Sequence, residues 1–206
     1  MDRETIRNIR LQNDYSEMLK LKDTPVISWT AIKGTPPAVS EYLVTLRIKT
    51  YIAPDVMTDI CHLRITLPED YPLHSPDFRI EDTPIFHPAF FADGRYGSYQ
   101  YSPATSLPQW VQRIFIELQY KEISCLNAPS NNMALHWYLE NKDNDKMFPC
   151  DDTAFPRIHE ENRYRFVLHR NENLDEIEPS DDTLESATMN ADDDEDDLPT
   201  SVLLQD

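Results

Sequence analysis

Glycine is scarce: three residues in 206, at Gly34, Gly94 and Gly97. No GxGxxG or Walker-type loop can be assembled from so few, which removes nucleotide binding by those routes. Cysteine is equally scarce, at Cys61, Cys125 and Cys150. An odd, widely spaced set without a CxxC argues against a disulfide framework and a structural zinc site. It points to a reducing intracellular compartment, read as cytoplasmic with the nucleus left open. No run of about eighteen apolar residues occurs, so no segment is expected to span a membrane. The opening residues MDRETIRNIRLQNDY hold no apolar h-region, so no secretory signal is expected. Basic residues are outnumbered, 19 against 37 acidic. That deficit leaves no electropositive footprint for a phosphate backbone, so nucleic acid is not an expected partner. The six histidines (His62, His74, His87, His136, His159, His169) form no HxH or HExxH pattern, and neither a metal nor any other cofactor is expected.

The acidic surplus is local. Fourteen Asp and Glu and no Lys or Arg lie between Glu172 and Asp206, leaving 23 acids and 19 bases in residues 1–171, a net of −4. The first 171 residues therefore read as an ordinary globule. The remainder, with its DDDEDD run and no aromatic residue, cannot bury enough surface to offset its ordering entropy. The expected organisation is a core at 1–147, an extension at 148–171 and a disordered acidic tail at 172–206. Such a tail either solubilises the protein or steers a basic partner by salt-sensitive attraction.

Apolar residues Ile6, Ile9, Leu11, Tyr15, Met18, Leu19 and Leu21 recur at helical spacing, which predicts an amphipathic helix over 3–22. Three strand-like runs follow. Val26–Ile32 ends in the turn cluster Lys33-Gly34-Thr35-Pro36-Pro37, and Glu41–Ile52 and Asp59–Leu67 alternate with period two. Cys61 falls on the apolar side of its run and reads as a buried thiol. Asp77–Ile80 adds a short fourth strand, and the short connections suggest one antiparallel meander. Trp110, Val111, Ile114, Phe115 and Leu118 predict a buried helix over 109–120. Met133, Ala134, Trp137 and Tyr138 predict a second over 131–144, with Ser130 as its N-cap. Arg163–His169 alternates and reads as an added strand or helix.

The stretch Leu67–Pro103 holds six of the sixteen prolines and two of the three glycines. It can be neither a long helix nor a central strand. Yet Tyr71, Phe78, Ile80, Ile85, Phe86, Phe90, Phe91 and Tyr96 give it too much apolar surface for a free linker. It reads as a rigid, ordered segment that shapes a site, turning at Asp93-Gly94.

In order and in motif, this chain resembles the ubiquitin-conjugating enzymes. Tyr71-Pro72 with Ser75-Pro76-Asp77-Phe78 resembles the family's YPxxxP corner. Ile85-Phe86-His87-Pro88 is similar to its HPN segment, and Ala92-Asp93-Gly94 to the turn before its active site. Tyr101-Ser102-Pro103 resembles its Trp-Ser-Pro. Ala128-Pro129-Ser130-Asn131 with Ala134, Tyr138 and Asn141 resembles its late-helix pattern. The likeness covers residues 3–147. It implies an α+β fold: an N-terminal helix, a four-stranded antiparallel meander, an ordered Pro-rich active-site-type segment, then C-terminal helices. The YPxxxP corner is also carried by RWD interaction domains, which keeps an RWD-like role unrelated to conjugation as an alternative.

The departures set the functional expectation. Counting forward from His87-Pro88 places the family's thioester cysteine at Gly97, and the Asn after its HP at Ala89. Thioester transfer needs a thiolate that attacks and then leaves. Glycine has no side chain, and the hydroxyl of Ser98 beside it would form an ester and is a poor nucleophile without a neighbouring base. Ala89 supplies no side-chain donor to a developing oxyanion. The resemblance then implies a catalytically silent variant, one that binds a ubiquitin-like modifier or a partner conjugation enzyme. Its remnant active-site surface would comprise His87, Ala89, Asp93, Gly97 and Ser98. An active enzyme with a displaced nucleophile at Cys125, assisted by His87 and Asp93, is the alternative.

Overall fold

The computed structural model describes residues 2–22, 24–81, 84–97 and 100–157. The expected tail and the Arg163–His169 element lie outside the described residues. Helix α1 (Arg3–Leu19) starts where the Asp2 carboxylate accepts the Thr5 amide. Its buried stripe is narrower than the sequence pattern predicts. Leu11, Asp14 and Met18 are buried at i, i+3 and i+7, while Ile6, Ile9 and Leu19 face solvent. An acidic residue therefore occupies the centre of the packed face.

The main sheet has strand order β1-β2-β5-β6, where β1 is Ile27–Thr35, β2 Ala38–Leu46, β5 Cys61–Thr66 and β6 Asp77–Glu81. All its neighbours are antiparallel, so the expected meander is present. Strict alternation buries Tyr42, Val44 and Leu46 on β2 and Cys61, Leu63 and Ile65 on β5. Two boundaries differ from expectation. β1 runs on through Lys33-Gly34-Thr35, because register shifts on either side of Lys33 and the positive φ of Gly34 (96°) carry the ladder to the Pro36-Pro37 turn. The long strand expected over 41–52 is broken at residues 47–49. Beyond the break, β3 (Thr50–Ala53) pairs with β4 (Val56–Thr58) in a separate two-stranded ribbon.

Helix α1 packs on β2 and on α2 (Leu107–Leu118). Trp29 of β1 donates its indole N–H to the Met18 carbonyl at 2.8 Å, fastening the end of α1 to the sheet. α2 begins two residues before the predicted start, because Pro108 sits in its first turn and the Gln109 side chain accepts the Ser106 amide at 2.8 Å. Trp110, Val111, Ile114, Phe115 and Leu118 are all buried, as the periodicity indicates.

α3 (Asn132–Asn141) is capped by Asn131, not by Ser130. The Asn131 Oδ1 accepts the Ala134 amide at 3.1 Å. Met133, expected on the inner face, is 74% exposed, and Leu135 is buried in its stead. Trp137 and Tyr138 join a second cluster around Tyr51, Tyr120 and Phe148. Residues beyond 147 contribute as well. Phe155 packs edge-on to Phe115, and Asp151 accepts the Lys49 amide. Removing the α3 cap by Asn131→Ala should cost ~1 kcal/mol. A thermal scan checks this, and an unchanged midpoint would mean that water replaces the cap.

Candidate functional site

The residues singled out by the sequence converge through backbone hydrogen bonds. Phe86 N donates to Tyr51 O, pinning the 84–91 segment to the ribbon, and the Tyr120 hydroxyl donates to Phe86 O. Gly97 N donates to Ala89 O at 2.9 Å, and Ser130 N to Pro88 O at 2.8 Å. His87-Pro88-Ala89, Gly97 and the start of α3 thus meet at one place. The turn is held by Gly94, whose φ of 82° and approach to Ile80 O leave no space for a Cβ. β6 is closed on its outer edge by the same segment, through Ile80 N to Gly94 O and Tyr96 N to Phe78 O. Ser98 lies outside the described residues.

His87 is fully buried, edge-on to Tyr120 and Phe90. Its Nδ1 accepts the Ala89 amide at 3.0 Å, so the neutral ring carries its proton on Nε2. Burial pushes its pKa down to about 3, against a smaller opposing effect of the Glu117 backbone. The ring braces the segment and is not placed to take up a proton from solvent. Ala89 is buried too, its N–H committed to His87 and its carbonyl to Gly97. Asp93 faces solvent and is taken by Arg95, which donates to it from its backbone N–H and from Nε at 2.8 Å. Arg95 holds this carboxylate below its ordinary pKa, so it is a poor base.

Gly97 is walled in. A Cβ built there would lie 2.3 Å from Phe91 Cε2 and 2.3 Å from Ser130 Oγ. The position therefore lacks a side chain and, as packed, lacks room for one. The Arg95 guanidinium lies 5.1 Å from the Phe91 ring centroid, covering the aromatic wall. Nothing in the sequence announces this blockage, because Ser130 reaches Gly97 from the far end of the 121–130 loop and the Phe91 ring is brought against it only by the turn at Asp93-Gly94.

Cys125 lies in the loop between α2 and α3 and is 4% exposed, close enough to Tyr120 to influence its phenol. Cys61 is buried in the sheet, where burial pushes its thiol up to about 12. Cys150 donates toward Lys49 O and Leu118 O, and its thiol is likewise pushed up to about 12 by burial. Thiols so raised are almost wholly protonated at neutral pH and are weak nucleophiles. Among the described residues no cluster of His, Cys, Asp or Glu could hold a metal ion, and no helix is long and apolar enough to cross a membrane.

Two further features were missed by the sequence reading. Glu117 on α2 is a buried acid beneath the segment, 1% exposed, and accepts the Ser124 hydroxyl at 2.5 Å. The second is a groove of about 320 Å³ between the start of α1 and the corner at 69–73. Ile6 and Leu73, the latter 61% exposed, line it together with Arg3, Arg7, Glu69 and Asp70.

Helix, antiparallel meander, rigid site-forming segment and two later helices define a mixed α+β domain whose site surface is built from backbone contacts. No protein-family model and no curated protein matches the chain. Among solved structures it is similar to human ubiquitin-conjugating enzyme E2 G1. The identity is 17% over 54% of this chain and 93% of that one, with a TM-score of 0.42.

Proposed function

We propose that this chain is a catalytically silent ubiquitin-conjugating-enzyme-like protein that binds a ubiquitin-like modifier or a partner conjugation enzyme without covalent chemistry. The observation that carries the reading is the state of Gly97. The position where the resemblance puts the thioester cysteine has no side chain, and Phe91 and Ser130 occupy the space one would take. The amide and carbonyl of Ala89 are both engaged within the fold, so neither is offered to a reacting group. A hydrogen-bond donor to an oxyanion is typically worth ~10²-fold or more in rate, and none is placed here by the Ala89 side chain. Binding has a candidate surface in the groove beside Leu73. Its apolar floor and rim of mixed charge suit a partner that inserts one apolar side chain between polar neighbours.

The test is a thioester assay with an activating enzyme, ATP and a panel of ubiquitin-like proteins, resolved with and without thiol. No thiol-sensitive adduct is expected on this protein when an active enzyme runs beside it. Modifiers and partner enzymes are then titrated against the labelled chain, where Leu73→Asp is expected to weaken binding tenfold or more, a loss of ~1.4 kcal/mol. An adduct that disappears in Cys125→Ala but survives in Cys61→Ala and Cys150→Ala would establish a displaced active site and overturn the silent reading.

A further inference from the structure

Glu117 is an acid inside the core, and three elements meet at its carboxylate. Ser124, from the loop joining α2 to α3, donates its hydroxyl to Oε1 at 2.5 Å. Arg113, one turn earlier on α2, directs Nε to the same oxygen at 3.4 Å. Tyr96, next to Gly97, meets the carboxylate from the third side through its phenol. His87 approaches only the Glu117 backbone. The loop fixed in this way carries Cys125 on its inner side and, further on, Ser130 against Gly97.

We propose that Glu117 is the latch of the 121–130 loop: sealed in, it keeps the loop closed over Cys125 and Ser130 against Gly97, and charging it releases both. A buried carboxylate without a full complement of partners is costly, and opening the loop would return it to water. Arg113 does not remove that cost. Its contact is long, and its side chain is 37% exposed, so much of its charge is solvated. Burial pushes the Glu117 pKa above the usual carboxylate range, with Ser124, Tyr96 and Arg113 pulling it back only in part. The closed loop therefore favours the protonated acid, and rising pH favours the open one. The device sets the shape of the surface around Gly97 by pH, whereas the silent-module reading places its partner in the groove beside Leu73. The latch itself does not depend on that reading.

Cys125 supplies the readout. The full-length protein is pulsed with a maleimide, and each cysteine is quantified by peptide mass spectrometry. Dividing by the rate for the same peptide in denaturant at the same pH removes the thiolate fraction. Protection of Cys125 should fall at least about threefold between about pH 4.5, in the ordinary range of a glutamate, and about pH 7.5, as the acid ionises in the open loop and resists ionising in the closed one. Glu117→Gln, which keeps an acceptor for Ser124 but cannot charge, should remain protected throughout. Ser124→Ala should already lower protection at the acid end, and it carries the test if Glu117→Gln does not fold. Protection that is flat with pH in the wild type, or that falls equally in Glu117→Gln, overturns the latch. So does a parallel loss of protection at Cys61, which would report global opening. No partner is required, so failure here leaves the silent-module reading intact, and a thioester at Cys125 would sink that reading without touching the latch.

Discussion

Replacing Asp14 by alanine should cost about 3 kcal/mol of stability, near the lower end of the range for breaking a buried pair from one side. The carboxylate is 1% exposed and serves three partners. Its Oδ2 accepts Arg10 Nε at 2.8 Å and the Tyr71 hydroxyl at 2.6 Å, and its Oδ1 takes the Leu107 amide at 3.4 Å at the start of α2. Arg10 continues the network, donating to the carbonyls of Pro103 and Thr105 at 2.6 and 2.7 Å. One side chain on α1 thus ties the Tyr71 corner, the 103–105 turn and α2 together. Alanine would leave the Tyr71 hydroxyl and the Leu107 amide without their acceptor. Arg10 would suffer less, because its side chain is 19% exposed and keeps two carbonyl partners. That escape is why the lower end of the range applies. Burial raises the Asp14 pKa, with Arg10 and Tyr71 only partly restoring it, so desolvation already consumes much of the Coulombic gain. Asp14→Asn keeps an acceptor oxygen and should lose less, ~1.5 kcal/mol for one charge-assisted bond. Urea unfolding at neutral pH measures both. An alanine variant within ~1 kcal/mol of the wild type would show that the network only offsets its own burial cost.

The contrast between Asp14 and Cys61 shows what the sequence could convey. Cys61 lies in a strict alternation, and period two places it in the core without further information. Asp14 occupies a helical position between Leu11 and Met18 that pattern alone would reserve for an apolar side chain. Its burial depends on Tyr71, 57 residues away, and on Arg10 and Leu107. The same limit explains Ile6, which periodicity assigns to the core but which instead lines the groove beside Leu73. The meander was legible because each strand carries its own alternation. The β3–β4 ribbon was not, since Thr50 and Tyr51 read as a continuation of β2 until the break at residues 47–49. At the candidate site, the absent thiol at Gly97 was legible as a residue type. The blocking of its side-chain direction was not, because Phe91 and Ser130 are brought to it only by the folded backbone.

Lowering the pH from about 6.5 toward 3 should strip stability at ~1.4 kcal/mol per pH unit through His87 alone. The folded-state pKa is about 3 and the ordinary value 6.5, so between them the unfolded chain binds a proton that the folded chain refuses. The contribution is whole above the ordinary value and is lost as pH falls toward the folded one. The ring cannot accept the proton in place, because Nδ1 is held by the Ala89 amide and the site is sealed by Tyr120 and Phe90. Asp14 and Glu117 work in the opposite sense, since burial raises both and each favours the fold at low pH. A single wild-type curve therefore mixes the signs, and the difference from a variant separates them. His87→Asn keeps an acceptor for Ala89 but does not titrate. It should be less stable than the wild type at about pH 7, having lost ring contacts, and the gap should narrow by ~1.4 kcal/mol for each unit of acidification in this window. Urea midpoints for the two proteins at matched pH supply the comparison. A constant gap would mean that the 84–91 segment admits the proton without opening, and His87 would then be free to act as an acid or base beside Gly97 instead of bracing the segment.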